Sequence, residues 1–183
     1  EYFGSVDPTS LRSCYAEGKR MGETMCVSWF HQYHVPAKIV RLFHTYGPGM
    51  TLGDGRVHSD FVNNIIQNEN ILMKSEGKVS RSFCYLADSV TGFFTVLLKG
   101  DAGQAYNVGN GSLVSVSQLA HILVGLYTKK KLRVVKQISD RGKEYLESRI
   151  KKNRPDISKL MSLGWSPSYS LKEGFKRTID SFT

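Results

Sequence analysis

Cysteine, proline and long apolar runs are all scarce in this chain of 183 residues. The three cysteines, Cys14, Cys26 and Cys84, stand far apart. An odd, widely spaced set suits neither a disulfide framework nor a zinc site, so no metal is expected. Reduced thiols and a cytoplasmic location follow as the expectation. Cys14 reads either as a reactive thiol or as a small space-filling residue. No apolar run is long enough to span a membrane, and no secretory leader pattern opens the chain. No internal repeat or low-complexity tract is present. No GxGxxG or GxxGxxG run opens a strand-to-helix turn. If a dinucleotide is used, the segment that cradles its pyrophosphate is not in this sequence.

Acidic residues are also few, 16 against 25 Lys and Arg, which gives a net charge of +9. Much of the basic excess comes late, at Lys129, Lys130, Lys131, Arg133 and Lys136, then Arg149, Lys151, Lys152 and Arg154. That balance invites a nucleic-acid reading, but zinc-finger spacing and aromatic RNA-binding signatures are both missing. A basic cleft for a sugar diphosphate accounts for part of the charge, and a solvated basic face accounts for the rest. Neither nucleic acid nor a membrane is expected as a partner. What remains is an ordinary globular composition, 40% hydrophobic and 22% charged, on a chain long enough to bury a core. The chain opens at Glu1 and runs through loop-like residues straight into a helix, which reads as a fragment or a processed piece.

The helix carries the first chemical signal. Tyr15 and Lys19 stand four residues apart in Ser13-Cys14-Tyr15-Ala16-Glu17-Gly18-Lys19. On a helix they share one face, one turn apart. A nearby ammonium favours the charged form of a phenol, whose free pKa is about 10. A phenolate near neutral pH can take a proton from a sugar hydroxyl as hydride leaves the same carbon. The spacing alone also fits an exposed pair with no role.

The pattern predicts a loop over Glu1 to Ser10, with Thr9, Ser10 or Ser13 capping a helix from Leu11 to about His34. Gly18 and Gly22 in that helix suggest close packing against another backbone, a partner helix included, or simple tolerance. After Pro36, Ala37 to Phe43 reads as a buried strand. His44-Thr45-Tyr46-Gly47-Pro48-Gly49-Met50 is then a loop at the carboxyl end of a strand, where open α/β sheets bind ligands. A helix over Arg56 to Asn68 and strands at Ile71 to Lys74 and Arg81 to Leu86 follow. Asp88 is expected to cap a helix over Val90 to Leu98. Next come a strand over Ala105 to Val108, a helix capped by Ser115 or Ser117 through Leu126, and a strand over Leu132 to Lys136. The polar run Ser139 to Asn153 stays unassigned. A short helix over Pro155 to Leu163, with Asp156 in its first turn, stops at Gly164. Ser170 caps the last helix, through Phe182.

Taken together, five ordered motifs resemble the carboxyl-terminal half of an extended short-chain dehydrogenase/reductase. That NAD-dependent nucleotide-sugar epimerase/dehydratase family includes decarboxylases. Tyr15 to Lys19 looks like the family's YxxxK, Arg41 to Pro48 like R-x-F-N-x-Y-G-P, and Arg81 to Asp88 like R-x-F-x-Y-V-x-D. Tyr106-Asn107-Val108-Gly109 matches, as does Arg154 to Lys159 followed by Leu163-Gly164-Trp165. The opening, with Arg12-Ser13-Cys14-Tyr15-Ala16-Glu17-Gly18-Lys19-Arg20 and Asp54-Gly55-Arg56-Val57, is most similar to UDP-glucuronate decarboxylases.

The resemblance implies an α/β fold, the carboxyl-terminal part of a Rossmann-like doubly wound sheet plus a small α/β substrate-binding domain. Residues 1–50 would complete the dinucleotide-binding domain. Residues 51–183 would be mainly the nucleotide-sugar domain, with about 80–110 returning to the sheet. It implies NAD as cofactor, Tyr15 as catalytic base, and Lys19 on the nicotinamide ribose, with Arg41 also on the cofactor side. His44, Arg56, Val57, Phe61, Lys74, Arg81, Tyr85 and Arg154 would line the nucleotide-sugar site. Arg81 would meet the diphosphate. A homodimer through the Tyr15 helix is implied as well. The sequence departs from the pattern at His44 for Asn, at Gly49 for Arg, at Lys74 for an aromatic and at Asn153 for Arg. A catalytically idle relative and a basic polyanion-binding module are the alternatives.

Overall fold

His34 takes a left-handed backbone, φ 57°, and its N–H closes on the carbonyl of Phe30 at 3.0 Å. This stop and Pro36 end the longest element, α1 (Ser13–Tyr33). The computed structural model describes residues 7–11, 13–137 and 152–183. After α1 come β1 (Ile39–Leu42), β2 (Thr45–Tyr46), α2 (Val57–Ile66), β3 (Ile71–Met73), β4 (Ser80–Arg81) and β5 (Cys84–Tyr85). Then follow α3 (Leu86–Lys99), β6 (Ala105–Val108), β7 (Val114–Ser115), α4 (Val116–Leu126) and β8 (Val134–Lys136). β9 (Lys152–Asn153), α5 (Ser158–Met161) and α6 (Leu171–Asp180) complete the described order. The chain is α/β, as its pattern predicts.

Pairing is mostly parallel, which requires crossover connections rather than hairpins. β1 pairs with β6, Ile39 opposite Ala105 and Leu42 opposite Val108. β2 pairs with β5, β3 with β8, and β4 with β9, while β7 runs antiparallel to β4. Helix α3 lies close over β6: a Cβ added at Gly92 would stand 2.7 Å from Val108 Cγ1. Among the described strands, β1 pairs with β6 alone.

Two cores result. The larger gathers Phe61, Val62 and Ile65 of α2, Ile71 and Met73 of β3, and Leu119 and Leu123 of α4. Phe175 and Ile179 of α6 close it, Phe175 stacking on Tyr46 at 3.9 Å. The smaller core joins Val96, Tyr106, Val108, Leu160 and Trp165. Helix α1 joins neither, and Ser13 is its one buried residue. It is tied to β1 by Arg41, whose Nε and Nη2 donate to the Glu23 carboxylate at 2.7 and 2.6 Å. Met21, Met25, Trp29 and Tyr33 on α1 and Phe93, Phe94, Leu97 and Leu98 on α3 stay exposed.

Several local expectations change. The close packing suggested at Gly18 and Gly22 is not found within the described chain, where a Cβ at either position would meet nothing within 4 Å. Asp88 does not cap α3, which begins at Leu86. Its buried carboxylate instead accepts the N–H groups of Ser168 and Tyr169 at 2.9 and 3.1 Å. The strand expected over Arg81 to Leu86 divides into β4 and β5, because Leu86 already belongs to α3. The helix expected over Pro155 to Leu163 shrinks to α5, with Asp156 accepting the Ser158 N–H and Gly164 at φ 89° after it. Of the two candidate caps, Ser115 holds α4 in a reciprocal capping box with Gln118. Ser170 caps α6 on Glu173 N–H. The opening loop through Val6, Arg12 and the run from Ser139 to Lys151 lie outside the described residues.

Candidate active site

The helical spacing of Tyr15 and Lys19 is realised on α1. Lys19 Nζ stands 5.5 Å from the centroid of the Tyr15 ring. Tyr15 is 73% exposed, so the ground before its hydroxyl is open. Lys19 is also exposed. Next in sequence to Lys19, Arg20 pairs with Glu17 at 3.4 Å, which gives the first half of α1 a dense run of charge. The Glu23–Arg41 bridge fixes this helix against the strand that leads into the His44 loop.

The second group forms where β1 ends. His44 lies in the bend between β1 and β2, and its carbonyl accepts the Cys84 N–H at 3.0 Å. Its ring meets two others: Phe83 at 5.6 Å and His58 at 6.4 Å. Burial holds the His44 imidazole below its ordinary pKa, and the positive charges of Arg81 and then Arg56 add to the effect. Arg56 immediately precedes α2 and binds Asp54, Nε to Oδ2 at 2.7 Å. Hydrogen bonds from Arg56 pull the Asp54 carboxyl down to about 2. Arg81 lies on β4, donates from Nη1 to the Ser80 carbonyl at 2.9 Å, and stands in register with Asn153 of β9.

Not every candidate points its side chain into open space. Val57 is half-buried at the start of α2, and Phe61 is 2% exposed within the larger core. Tyr85 is buried and packs its ring 4.7 Å from Tyr169. Lys74 follows β3 and is exposed. Arg154 lines a surface cavity of about 340 Å3 with Gly111, Pro155, Ile157 and Met161. Arg81 and Arg56 both act electrostatically on His44, so the structure brings these two predicted residues within reach of the third.

The reading of the sequence missed His58. It is 2% exposed on the inner face of α2, and burial, then Arg56 and His44, lower its pKa to about 4. The signal was present: His58, Phe61, Val62 and Ile65 fall at i, i+3, i+4 and i+7, one helical face. Both His44 Nδ1 and His58 Nε2 are buried without a hydrogen-bond partner among the described residues.

The chain is similar to known proteins along nearly its whole length. The chain is 34% identical over 183 residues to UDP-glucuronic acid decarboxylase 6 of Arabidopsis thaliana, covering 99% of this chain and 51% of that protein. It is 35% identical to UDP-glucuronic acid decarboxylase 1 of Xenopus tropicalis, covering all of this chain and 42% of that one. The chain therefore spans about half the length of the curated relatives it matches. The solved UDP-glucose 4-epimerase of Thermotoga maritima, with UDP-glucose, superposes with a TM-score of 0.81 at 25% identity. That match covers 98% of this chain and 59% of the epimerase. Residues 3–109 match the profile described as the NAD dependent epimerase/dehydratase family, and the chain belongs to that family.

Proposed function

We propose that the chain is the substrate-side half of an NAD-dependent enzyme that oxidises a UDP-sugar at its 4-hydroxyl. The finished reaction would be decarboxylation, dehydration or epimerisation. The observation that carries the reading is the open Tyr15 ring with the Lys19 ammonium 5.5 Å from its centroid. Tyr15 would take the hydroxyl proton, and Lys19 stands where it balances the charge that Tyr15 then develops. NAD, when bound, supplies the hydride acceptor. Tyr15 and Lys19 fit the ribose end of that cofactor, because both reach solvent from one helical face. Arg41 is engaged by Glu23, so its support for the cofactor would be to hold α1 in place.

The sugar becomes a ketone at carbon 4, which acidifies its neighbours or lets a β-carboxylate leave. His44, Arg56 and Arg81 would carry the nucleotide diphosphate, with Arg154 beside the β9 end of the same sheet. The cations suit an anion with several oxygens, and guanidinium groups match phosphate geometry. Val57, Phe61 and Tyr85 would shape the site from beneath rather than touch the ligand with free faces. Lys74 would lie toward the base.

The two cores support the division into a remnant of the dinucleotide domain and a nucleotide-sugar domain. The open edge of β1 and the exposed apolar residues of α1 and α3 suit an added α/β half that carries a glycine-rich loop. Met25 and Trp29 also suit a second copy across α1, the homodimer expected above. Free cysteines and the lack of any membrane-crossing helix among the described residues accord with a cytoplasmic setting.

The test is product analysis. A longer polypeptide with a glycine-rich segment ahead of Glu1 is incubated with NAD and UDP-glucuronate. Conversion that disappears in Tyr15→Phe supports the reading. Conversion that survives in Tyr15→Phe rejects it.

A further inference from the structure

A half-buried imidazole, His44, and a buried one, His58, stand edge to face beside the proposed diphosphate site, and His44 Nδ1 and His58 Nε2 are buried atoms with no hydrogen-bond partner among the described residues. A buried polar atom without a partner costs free energy, so two together need a reason. Core packing alone does not supply one. Phe83 packs beside both rings, at 5.5 Å from His58 and 5.6 Å from His44, and offers neither a polar partner. The charged groups around the pair come from three segments. Arg56 and Asp54 lie just ahead of α2, and Arg81 comes from β4. The main chain of Ser82 also contacts His44, and Cys84 N–H bonds its carbonyl. The net local charge is therefore positive before any ligand arrives.

We propose that His44 and His58 form a proton-accepting pair for the nucleotide diphosphate, with His44 at the anion and His58 behind it as a positioning residue. This rests on the reading of His44, Arg56 and Arg81 as the diphosphate site. Burial disfavours the charged form of both rings, with Arg81 and Arg56 adding to the effect at His44 and Arg56 at His58. A diphosphate carries two negative charges to the same place. It offsets the field of Arg56 and Arg81, and an imidazolium becomes favourable where it was not. His44 then gains a proton on one nitrogen and donates to the anion. His58, at 6.4 Å and 83°, fixes the ring of His44 and shares the added charge through its own unsatisfied nitrogen.

The sign follows from linkage. A group whose pKa is higher in the bound state takes up a proton on binding, so affinity is strongest at low pH. The advantage is lost as pH rises through the bound-state pKa. A rise of one unit in one ring changes the affinity by up to about tenfold.

UDP-glucose is the probe, because both its phosphates are diesters, whereas a monoester would itself titrate near about pH 6. Calorimetry of the chain with UDP-glucose, in two buffers of different ionisation heat, should show net proton uptake near neutral pH. The dissociation constant should rise about five- to tenfold from about pH 5.5 to about pH 7.5. Uridine, which lacks the diphosphate, should show neither effect. His44→Asn and His58→Leu should each flatten the pH profile, and the buffer comparison on the unaltered chain stands even if a variant fails to fold. UDP-glucose binding with no proton uptake and no pH dependence overturns the pair while leaving the nucleotide-sugar reading intact. No UDP-glucose binding at any pH overturns both.

Discussion

The rings of His44 and His58 lie 6.4 Å apart, nearly perpendicular, one at the end of a strand and the other on the inner face of a helix. The burial of His58 has a consequence for folding. His58 titrates near 4 in the folded chain, below its ordinary 6.5. Above about pH 6.5 the ring is neutral in both states. As pH falls from there toward 4, the unfolded chain binds more protons, and stability is lost. The loss attributable to His58 is on the order of 3 kcal/mol by the foot of that window. Thermal melting should show a drop in Tm from pH 6.5 to 4 that is smaller in His58→Leu. An unchanged acid slope in that variant would rule His58 out as its cause.

Asp88 gives a second prediction. Its carboxylate holds the main chain at Ser168 and Tyr169, and its carbonyl accepts Trp165 Nε1 at 3.2 Å. Asp88→Ala removes the buried carboxylate that accepts both N–H groups and should cost about 1–3 kcal/mol. Urea unfolding measures it. A cost under about 0.5 kcal/mol would mean that solvent replaces those bonds.

The bidentate Glu23–Arg41 bridge is the one side-chain ion pair recorded between α1 and the sheet among the described residues. Its groups are about one quarter exposed, 28% and 24%, so the pair is only partly screened. Arg41→Lys cannot reproduce the fork and should cost about 1 kcal/mol. Hydrogen exchange should quicken along α1 and not along α2. Equal change in both helices would place the effect in global stability instead.

Tyr15 should separate activity from stability. Its ring is exposed and its hydroxyl has no hydrogen-bond partner among the described residues. Tyr15→Phe should shift Tm by less than about 1 °C, within the range of exposed substitutions, while abolishing conversion of a UDP-sugar in the longer polypeptide. A large fall in Tm would show that the hydroxyl supports the fold.

Much of this was legible in the chain. Ser115 and Ser170 stand at helix starts followed three residues later by Gln118 and Glu173, and both cap as that spacing predicts. The parallel α/β arrangement follows from strands separated by helices. The two-residue strands β2, β7 and β9 were not legible, because two residues carry no period. Asp88 misled because capping and tertiary roles use the same short carboxylate. On α1, Met25 and Trp29 recur at helical spacing as a core stripe would, yet they face solvent in this chain. Periodicity gives the apolar face and not what covers it. His58 was overlooked because a histidine on an apolar face reads as polar punctuation, although its positions relative to Phe61, Val62 and Ile65 mark it as inward.

The most direct measurement of the whole account is calorimetry of the chain with UDP-glucose and, separately, with NAD. The account predicts saturable binding of UDP-glucose, weakened at least about tenfold in Arg81→Ala, where a charge-assisted phosphate contact is lost, and no tight binding of NAD, for which the glycine-rich cradle is not in this sequence. Tight NAD binding by this chain alone, with no response to UDP-glucose, would contradict it.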